Sequence, residues 1–166
     1  MSLPYKSGCL FLPDVVDAAT RSRMMAGIRG KDTRPEMILR RGLHGRGFRF
    51  RLHESRLPGS PDLVFPGRRA VIFVHGCFWH GHDCHLFRLP ATRQEFWRAK
   101  IEGNAARDAA TEDALVRAGW RVLTIWECAL KGRERLPVEA MLDRVSAWLA
   151  AGSGQEMIAG GANGSF

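Results

Sequence analysis

The chain has 166 residues, of which 45% are hydrophobic, so it can bury one good core and is too short for two domains to be expected. Its 25 Lys and Arg against 17 Asp and Glu give a net charge of +8, which favours a polyanionic partner, although a merely soluble basic surface would have the same charge. Because no segment has the length of a signal-peptide core or a membrane span, we expect a soluble cytoplasmic protein with reduced cysteines.

The chain starts with a predicted leader and a predicted short helix. Residues 1 to 13 show no hydrophobic periodicity and are expected to be flexible. Residues 17 to 29 predict a helix with three apolar side chains on one face, which are Met24, Met25 and Ile28. Ten Lys and Arg side chains lie between Arg21 and Arg51, so this half of the chain is the more probable electrostatic footprint for a polyanion.

A capping motif predicts the second helix. Thr33-Arg-Pro-Glu36 matches a capping box, and the helix should then run to about Leu43. Capping is the simplest role for Glu36 on this spacing. Residues 48 to 52 alternate aromatic side chains with Arg, which predicts a strand with one basic face.

Two buried strands follow. Residues 62 to 65 predict a strand, a Pro-Gly turn comes next, and residues 70 to 75 predict an interior strand. Asp62 opens this hairpin, either as a turn-capping residue or as a side chain held for a partner.

The second half of the chain predicts a helix, a strand and a helix. Thr92-Arg-Gln-Glu95 matches a second capping box, and Gly119 should end the helix that it starts. Residues 120 to 126 predict an interior strand, and residues 137 to 150 an amphipathic helix. The remaining residues, rich in Gly, Ser and Ala, are predicted to be disordered.

The fold class follows from the order of these elements. Consecutive strands, then a helical crossover to another strand, predict an α/β fold in which helices flank a mixed β-sheet. We expect one domain over residues 14 to 150, with a leader at 1 to 13 and a tail at 151 to 166.

The densest chemistry lies in AVIFVHGCFWHGHDCH at 70 to 85, where a buried strand runs directly into cysteines and histidines. Four side chains could form a tetrahedral Cys3His zinc site, and they are Cys77, His82, Cys84 and Cys128. Buried free thiols are the alternative. Cys9 is not needed as a ligand.

Histidines and acidic residues remain for catalysis. His75 closes the strand that pairs with the strand of Asp62, so the hairpin should bring these residues together at one sheet edge. A carboxylate there could hold Mg²⁺, and a neutral imidazole could exchange a proton near pH 7. Asp108, a poor residue for a helix interior, could pair with His80 and fix its tautomer.

Large aromatic side chains surround this segment. Phe78 and Trp79 lie inside the cluster, and Trp97 shares a helix face with Asp108. On a basic protein, rigid aromatic rings can stack on bases or wedge between them. Packing in the core beneath the loop is the alternative.

These residues resemble the very short patch repair endonucleases, the bacterial family that nicks DNA at T:G mismatches. The resemblance covers roughly residues 14 to 150. Its matching segments are Ala19-Thr-Arg-Ser22, Pro61-Asp62, VIFVHGCFWH at 71 to 80, Leu89-Pro-Ala-Thr-Arg93, Glu95-Phe-Trp97, Gly119-Trp-Arg-Val122 and Trp126-Glu-Cys-Ala-Leu130.

The resemblance implies a restriction-endonuclease-like fold, a structural zinc and Mg²⁺-dependent nicking of one strand 5′ to the mismatched thymine. The implied zinc ligands are Cys77, His82, Cys84 and Cys128. For magnesium the implied ligands are Asp62 and the main-chain carbonyl of Val74, with Glu36 ordering metal-bound water. The implied catalytic centre adds His75, His80 and Asp108. The implied DNA wedge is Phe78, Trp79 and Trp97, with Met25 as the opposing minor-groove contact.

The implied partner is double-stranded DNA that contains a T:G mismatch. The enzyme is expected to act as a monomer in the cytoplasm, where DNA binding would place it at the nucleoid. The general mismatch-repair machinery is a candidate protein partner. The sequence departs from the family at Val74, where Thr is frequent, and at Gly81 and Asp83, which interrupt a run richer in histidine. There are two alternatives. One is a restriction or defence nuclease of the same fold, and the other is a zinc-stabilised DNA-binding module without catalysis.

Overall fold

A computed structural model describes residues 31–151 and 154–161 of the chain. Within them lie three α-helices, which are α1 (Arg34–Gly45), α2 (Gln94–Arg117) and α3 (Val138–Ala151). The strands of the same ranges are β1 (Arg51–Leu52), β2 (Leu63–Phe65), β3 (Ala70–His75), β4 (Arg121–Trp126) and β5 (Gln155–Ile158). The predicted helix at 17 to 29 and the predicted leader lie outside the described residues.

The five described strands form one mixed sheet in the order β1-β2-β3-β4-β5. The first three strands pair antiparallel, and β3, β4 and β5 pair parallel. A parallel pair needs a crossover connection, and here α2 connects β3 to β4 while α3 connects β4 to β5. The predicted mixed α/β architecture is therefore confirmed.

Apolar side chains are buried on both faces of the sheet. On one face α1 and α3 pack against the strands through a large core that includes Leu39, Leu43, Met141, Val145 and Leu149. A smaller core covers the other face and includes Val71, Phe73, Leu115 and Val122. Burial on both faces explains why β3 and β4 are nearly continuous apolar runs.

Helix α1 begins as predicted. Thr33 is its N-cap and accepts a hydrogen bond from the backbone of Glu36, while the Glu36 side chain bonds back to the Thr33 backbone. This reciprocal bonding satisfies two of the backbone N–H groups that every helix start leaves without partners. The local motif thus fixes where α1 starts and where the Glu36 side chain is directed.

The second predicted capping box is wrong. Helix α2 begins one residue later than predicted, after Arg93, whose backbone is in the left-handed region with φ 54° and whose side chain does not cap the helix. Glu95 is then the second helical residue, so it lacks the spacing for a reciprocal bond. The Arg93 guanidinium instead lies 4.5 Å from the ring centroid of Phe96.

Two predicted backbone segments also differ from the structure. Only Arg51 and Leu52 of the predicted 48 to 52 strand pair with β2, while Phe48 and Phe50 contact it through their rings, which pack against Phe65. At the other edge, the tail was expected to be disordered from Gly152 onward, yet β5 pairs with β4 and buries Ile158 completely. Covering the edge of β4 supplies the hydrogen bonds that local composition does not reveal.

No helix among residues 31–151 and 154–161 has the length and apolar character that crossing a membrane requires.

Candidate active site and metal centre

The functional residues gather at the end of the sheet where β3 and β4 stop. The two strands are in parallel register up to the pair His75 and Trp126. The chain then leaves β3 through residues 76 to 93, a loop that carries most of the predicted site. Two sets of side chains meet here, a polar cleft and a cluster of thiols.

The polar cleft has a volume of about 620 Å³. Its walls come from the start of α1, from the segment just before β2, from β3 and the loop after it, and from the middle of α2. All the residues predicted for catalysis and magnesium binding line it, namely Glu36, Asp62, Val74, His75, His80 and Asp108. Sequence segments that are far apart therefore meet in one concave site, as a catalytic arrangement requires.

Asp62 stands just before β2 and is held by the neighbouring strand. Its Oδ2 accepts a hydrogen bond of 2.8 Å from the backbone N–H of Val74. Burial raises the pKa of Asp62 to about 6, and the nearby Glu36 carboxylate adds to this effect, although the Val74 bond opposes it. A divalent cation at this position would favour the ionised carboxylate and offset the cost of its burial.

Glu36 serves both the helix and the cleft. Its side chain is almost fully buried and closes the capping box. The same carboxylate accepts a hydrogen bond of 2.6 Å from the Arg40 guanidinium, and it lines the cleft. The capping role of Glu36 is therefore confirmed, and the same carboxylate also lines the cleft because the start of α1 faces it.

His80 and Asp108 form the predicted pair through His80 Nδ1 and a carboxylate oxygen of Asp108. If the neutral ring carries its proton on Nδ1, the Nε2 atom keeps a lone pair and can accept a proton. The ring of His75 stacks on His80, with centroids 4.0 Å apart and an interplanar angle of 5°. Burial lowers the pKa of His75 to about 4, with the neighbouring His80 contributing, so His75 is neutral at pH 7.

The thiol cluster lies beside the cleft. Its members, Cys77, His82, Cys84 and Cys128, place their ligand atoms within 4.8 Å of one another, so they could hold a metal ion. Burial raises the pKa of both Cys77 and Cys128, which means that their thiolates need a cation to be stable there. Three sulfurs and one imidazole are the soft donor set that zinc prefers, so the residues fit such an ion.

Neighbouring groups support the thiol cluster. The ring of His82 stacks on Trp126 at the end of β4, with centroids 4.3 Å apart. The backbone N–H of Gly160, just beyond β5, donates to the sulfur of Cys128 at 3.3 Å. A side chain at Gly160 would collide with the backbone of Cys128, so only glycine allows this approach.

The predicted wedge residues form an aromatic cluster. Phe78, Trp79 and Trp97 touch each other edge to face, with ring centroids 5.2 to 6.1 Å apart. All three are half-buried, and none belongs to the two buried cores of the described chain. Simple core packing therefore does not account for them. Met25, the remaining predicted contact, lies outside the described residues.

The sequence did not predict that Asp32 and His53 lie beside Glu36. Asp32, Glu36 and His53 place ligand atoms within 4.8 Å of one another, and the Arg40 guanidinium contacts all three side chains. His53 also lies 3.7 Å from Asp62, from its Nδ1 to Oδ1. No local pattern marks His53, which follows a short basic strand and owes its position to long-range contacts.

Several known proteins are similar to this chain. The family model described as DNA mismatch endonuclease Vsr matches residues 13 to 86. The DNA mismatch endonuclease Vsr of Escherichia coli strain K12 is 50% identical over 138 residues, which span 83% of this chain and 88% of that protein. The Type II nicking enzyme V.XorIIP of Xanthomonas oryzae pv. oryzae is 51% identical over 119 residues, 72% of this chain and 88% of its own length. The Type II nicking enzyme V.NmeAIP of Neisseria meningitidis is 40% identical over 129 residues, 75% of this chain and 92% of its own.

Proposed function

The chain belongs to the Vsr family of DNA mismatch endonucleases, and on this premise we propose that it nicks one strand of duplex DNA 5′ to the thymine of a T:G mismatch. Such mismatches arise when 5-methylcytosine is deaminated, so the reaction would start very short patch repair. The observation that carries the proposal is the polar cleft, because Asp62 and the His80–Asp108 pair line it together beside a cluster of half-buried aromatic rings.

The cleft residues fit a magnesium ion. Asp62 and the main-chain carbonyl of Val74 would hold it, and Glu36 would order the water around it. When bound, the ion would polarise the scissile phosphate and stabilise the charge that develops during hydrolysis. The buried carboxylate of Glu36 and the half-buried one of Asp62 lie near each other, and burial raises the pKa of Asp62. They support this assignment because a cation would favour the ionised form of both groups.

The histidines would serve to accept the proton that the attacking water loses. His80, oriented by Asp108, has a free Nε2 lone pair if its proton is on Nδ1, and it would accept a proton from the attacking water. His75 is neutral at pH 7 and stacks on His80, so it holds the ring of its neighbour without adding positive charge. The Asp108 carboxylate would stabilise the imidazolium that forms.

The thiol cluster would hold a structural zinc. The loop after β3 carries the zinc ligands Cys77, His82 and Cys84, and between them lie catalytic and aromatic residues. Fixing this loop to Cys128, at the end of β4, would keep His80 and the aromatic rings in place. The zinc would then serve catalysis without touching the DNA.

The aromatic cluster would recognise the mismatch. Phe78, Trp79 and Trp97 would insert beside the weakly paired thymine, and Met25 would contact the opposite side through the minor groove. Inserting rings into DNA costs unstacking energy, which is smallest where pairing is already poor. Discrimination would therefore come from the deformability of the mismatched step as well as from direct contacts.

Two alternatives stay open to test. Relatives named Type II nicking enzymes favour a nuclease of the same family with another DNA specificity, in restriction or defence. A zinc-stabilised DNA-binding module without catalysis has less support, because binding alone would not require Asp62, His75, His80 and Asp108 to line one cleft. The general mismatch-repair machinery is a candidate partner, and the enzyme would act as a monomer at the nucleoid.

The deciding experiment is a nicking assay on a panel of end-labelled duplexes with Mg²⁺. The panel would contain one T:G mismatch, the matched T:A duplex and the other single mismatches in the same sequence context. We expect one cut, 5′ to the thymine of the T:G duplex, and none without a divalent ion. Equal cleavage of T:G and T:A duplexes, or no cleavage by folded protein with Mg²⁺, would contradict the proposal.

A further inference from the structure

His53 lies between two charged groups at the wall of the cleft. It follows β1 directly, and only 18% of its side chain is exposed. On one side, its Nε2 is 2.9 Å from a terminal nitrogen of Arg40. On the other side, its Nδ1 is 3.7 Å from Oδ1 of Asp62. The ring therefore connects a buried guanidinium to the carboxylate proposed to bind magnesium.

The contact with Arg40 determines the tautomer of His53. A guanidinium has only N–H donors and does not lose its proton in proteins, so Nε2 must accept the hydrogen bond from Arg40. A neutral imidazole with an accepting Nε2 carries its proton on Nδ1. The N–H of His53 consequently faces Asp62.

We propose that His53 is a positioning residue for Asp62, and this inference rests on the proposed role of Asp62 as the magnesium ligand. Val74 N–H donates to Oδ2 of Asp62, and the Nδ1–H of His53 lies on the Oδ1 side. The carboxylate is therefore oriented from two sides. At 3.7 Å the contact with His53 is longer than a hydrogen bond, and contacts of this kind often shorten to hydrogen bonds when the ligand binds.

The same geometry shows that His53 is not itself a metal ligand. Asp32, Glu36 and His53 are close enough to share a cation, but the Arg40 guanidinium already donates to all three side chains. With Nε2 accepting from Arg40 and Nδ1 protonated, the ring has no lone pair left for a metal. The guanidinium of Arg40 supplies the positive charge that these three side chains would otherwise take from a metal ion.

The backbone of His53 is also held in an uncommon conformation. Its φ angle is 46°, in the left-handed region that residues other than glycine rarely adopt. Such a conformation persists where the surroundings hold it, and it is frequent at functional sites. Here it directs the ring toward both Arg40 and Asp62.

The test compares variants that keep or remove the hydrogen bond to Arg40 and the contact with Asp62. His53→Gln has an amide that can accept from Arg40 and donate to Asp62, whereas His53→Leu and His53→Phe can do neither. We would titrate each protein with Mn²⁺ and no DNA, following the free ion by electron paramagnetic resonance. His44→Leu, which removes an exposed histidine of α1, is the matched control.

We expect His53→Leu to bind Mn²⁺ about tenfold more weakly, as is typical when a group supporting a metal ligand is lost. His53→Gln and His44→Leu should stay within about threefold of the wild type. In the nicking assay, the Leu variant should need more Mg²⁺ for half-maximal rate and approach the wild-type rate when the ion is saturating. This recovery separates positioning from participation in the chemistry.

Wild-type Mn²⁺ affinity in His53→Leu would overturn the inference, as would equal weakening in the Leu and Gln variants. If His53→Leu does not fold by circular dichroism, His53→Phe, which keeps a planar ring without nitrogens, decides in its place. Since the Mn²⁺ titration needs no DNA, the inference can be judged even if the nicking assay rejects the proposed function. Failure of Asp62→Asn to change Mn²⁺ binding would instead remove the metal role from Asp62.

Discussion

The polar cleft and the thiol cluster lie side by side at the end of β3 and β4, yet they differ in how their polar atoms are satisfied. In the thiol cluster, four ligand atoms face one another, and two of its sulfurs are completely buried. In the cleft, each acidic or imidazole group has a neighbouring partner and still faces an open volume of about 620 Å³. A closed donor set suits a structural ion, whereas supported groups facing open space suit chemistry.

The two sites also share one loop. His75 and His80 belong to the cleft, while Cys77, His82 and Cys84 belong to the thiol cluster, and the two sets alternate along the chain. Residue type and proximity in sequence therefore do not separate the two sites. What separates them is the partner that each side chain reaches, so the contrast is best tested by changing one partner at a time.

Replacing Asp62 should have the largest effect on activity. Asp62→Asn keeps the shape of the side chain but removes the charge that would hold magnesium, and losing several kcal/mol of metal stabilisation lowers the nicking rate by about 10³-fold or more. DNA binding, measured by fluorescence anisotropy, should be nearly unchanged, and the thermal stability of the metal-free protein should not fall, because the charge that is lost is one whose burial is unfavourable. Asp143→Asn, at an exposed carboxylate outside the cleft, is the control. Retained activity in Asp62→Asn would take Asp62 out of the chemistry.

Replacing Cys128 should affect the fold instead. Cys128→Ser removes one ligand from a closed site whose metal binding would be coupled to folding, so we expect the protein to lose zinc. The free energy of unfolding should fall by several kcal/mol, about half of the total that is typical for a folded domain. Elemental analysis and thermal melting would measure both changes. Cys9→Ser makes the same chemical change at a cysteine that is not a predicted ligand. Zinc-free wild-type protein that melts like the purified protein would contradict a structural zinc.

Breaking the His80–Asp108 pair should have an intermediate effect. Asp108→Asn leaves a neutral amide that no longer stabilises the imidazolium, so the nicking rate should fall by about 10²-fold with the fold intact. The matched control is Asp113→Asn, an exposed acid on the same helix. Single-turnover rates at saturating Mg²⁺ would measure the change. An equal loss in both variants would mean that the charge of α2, and not the pair, matters.

Lowering the pH should give the smallest effect and should act on the cleft. Burial raises the pKa of Asp62 to about 6, and a protonated carboxyl does not bind a cation, so the apparent Mg²⁺ affinity should fall by about tenfold per pH unit below that value. Mn²⁺ titrations between pH 5 and 8 would measure it. An affinity that is constant over this range would show that Asp62 is ionised throughout.

Lowering the pH weakens metal binding by Asp62, but it should stabilise the metal-free fold. Because the folded protein raises the pKa of this acid, it binds the proton more tightly than the unfolded chain does. The contribution of Asp62 to the metal-free fold is therefore greatest below pH 4 and is lost as the pH rises through about 6. Added Mg²⁺ should reverse this loss at neutral pH, which thermal melting can detect.

Local motifs predicted the parts of the fold that depend on few residues. The capping box at Thr33 and Glu36 needs only four residues in the right order, and it is confirmed. The thiol cluster could also be predicted, because three of its four members lie within one loop. The pairing of His80 with Asp108 could be predicted because Asp is an unfavourable residue inside a helix, which suggested that it has a partner.

Long-range contacts decide the parts that the sequence did not predict. Strand β5 has little apolar character of its own, and it forms because the edge of β4 offers hydrogen bonds and a buried place for Ile158. His53 acquires its position only when Arg40 and Asp62 come together. None of these partners is near in sequence.

The thiol cluster and its Gly160 contact join residues that are made at different times during synthesis of the chain. A ribosome delivers Cys77, His82 and Cys84 first, the sulfur of Cys128 much later, and the N–H of Gly160 later still. The nascent chain therefore carries only three of the four ligand atoms until Cys128 has been made. A four-ligand site could close only after β4 has been synthesised, and its sulfur could be covered by the Gly160 N–H only after β5.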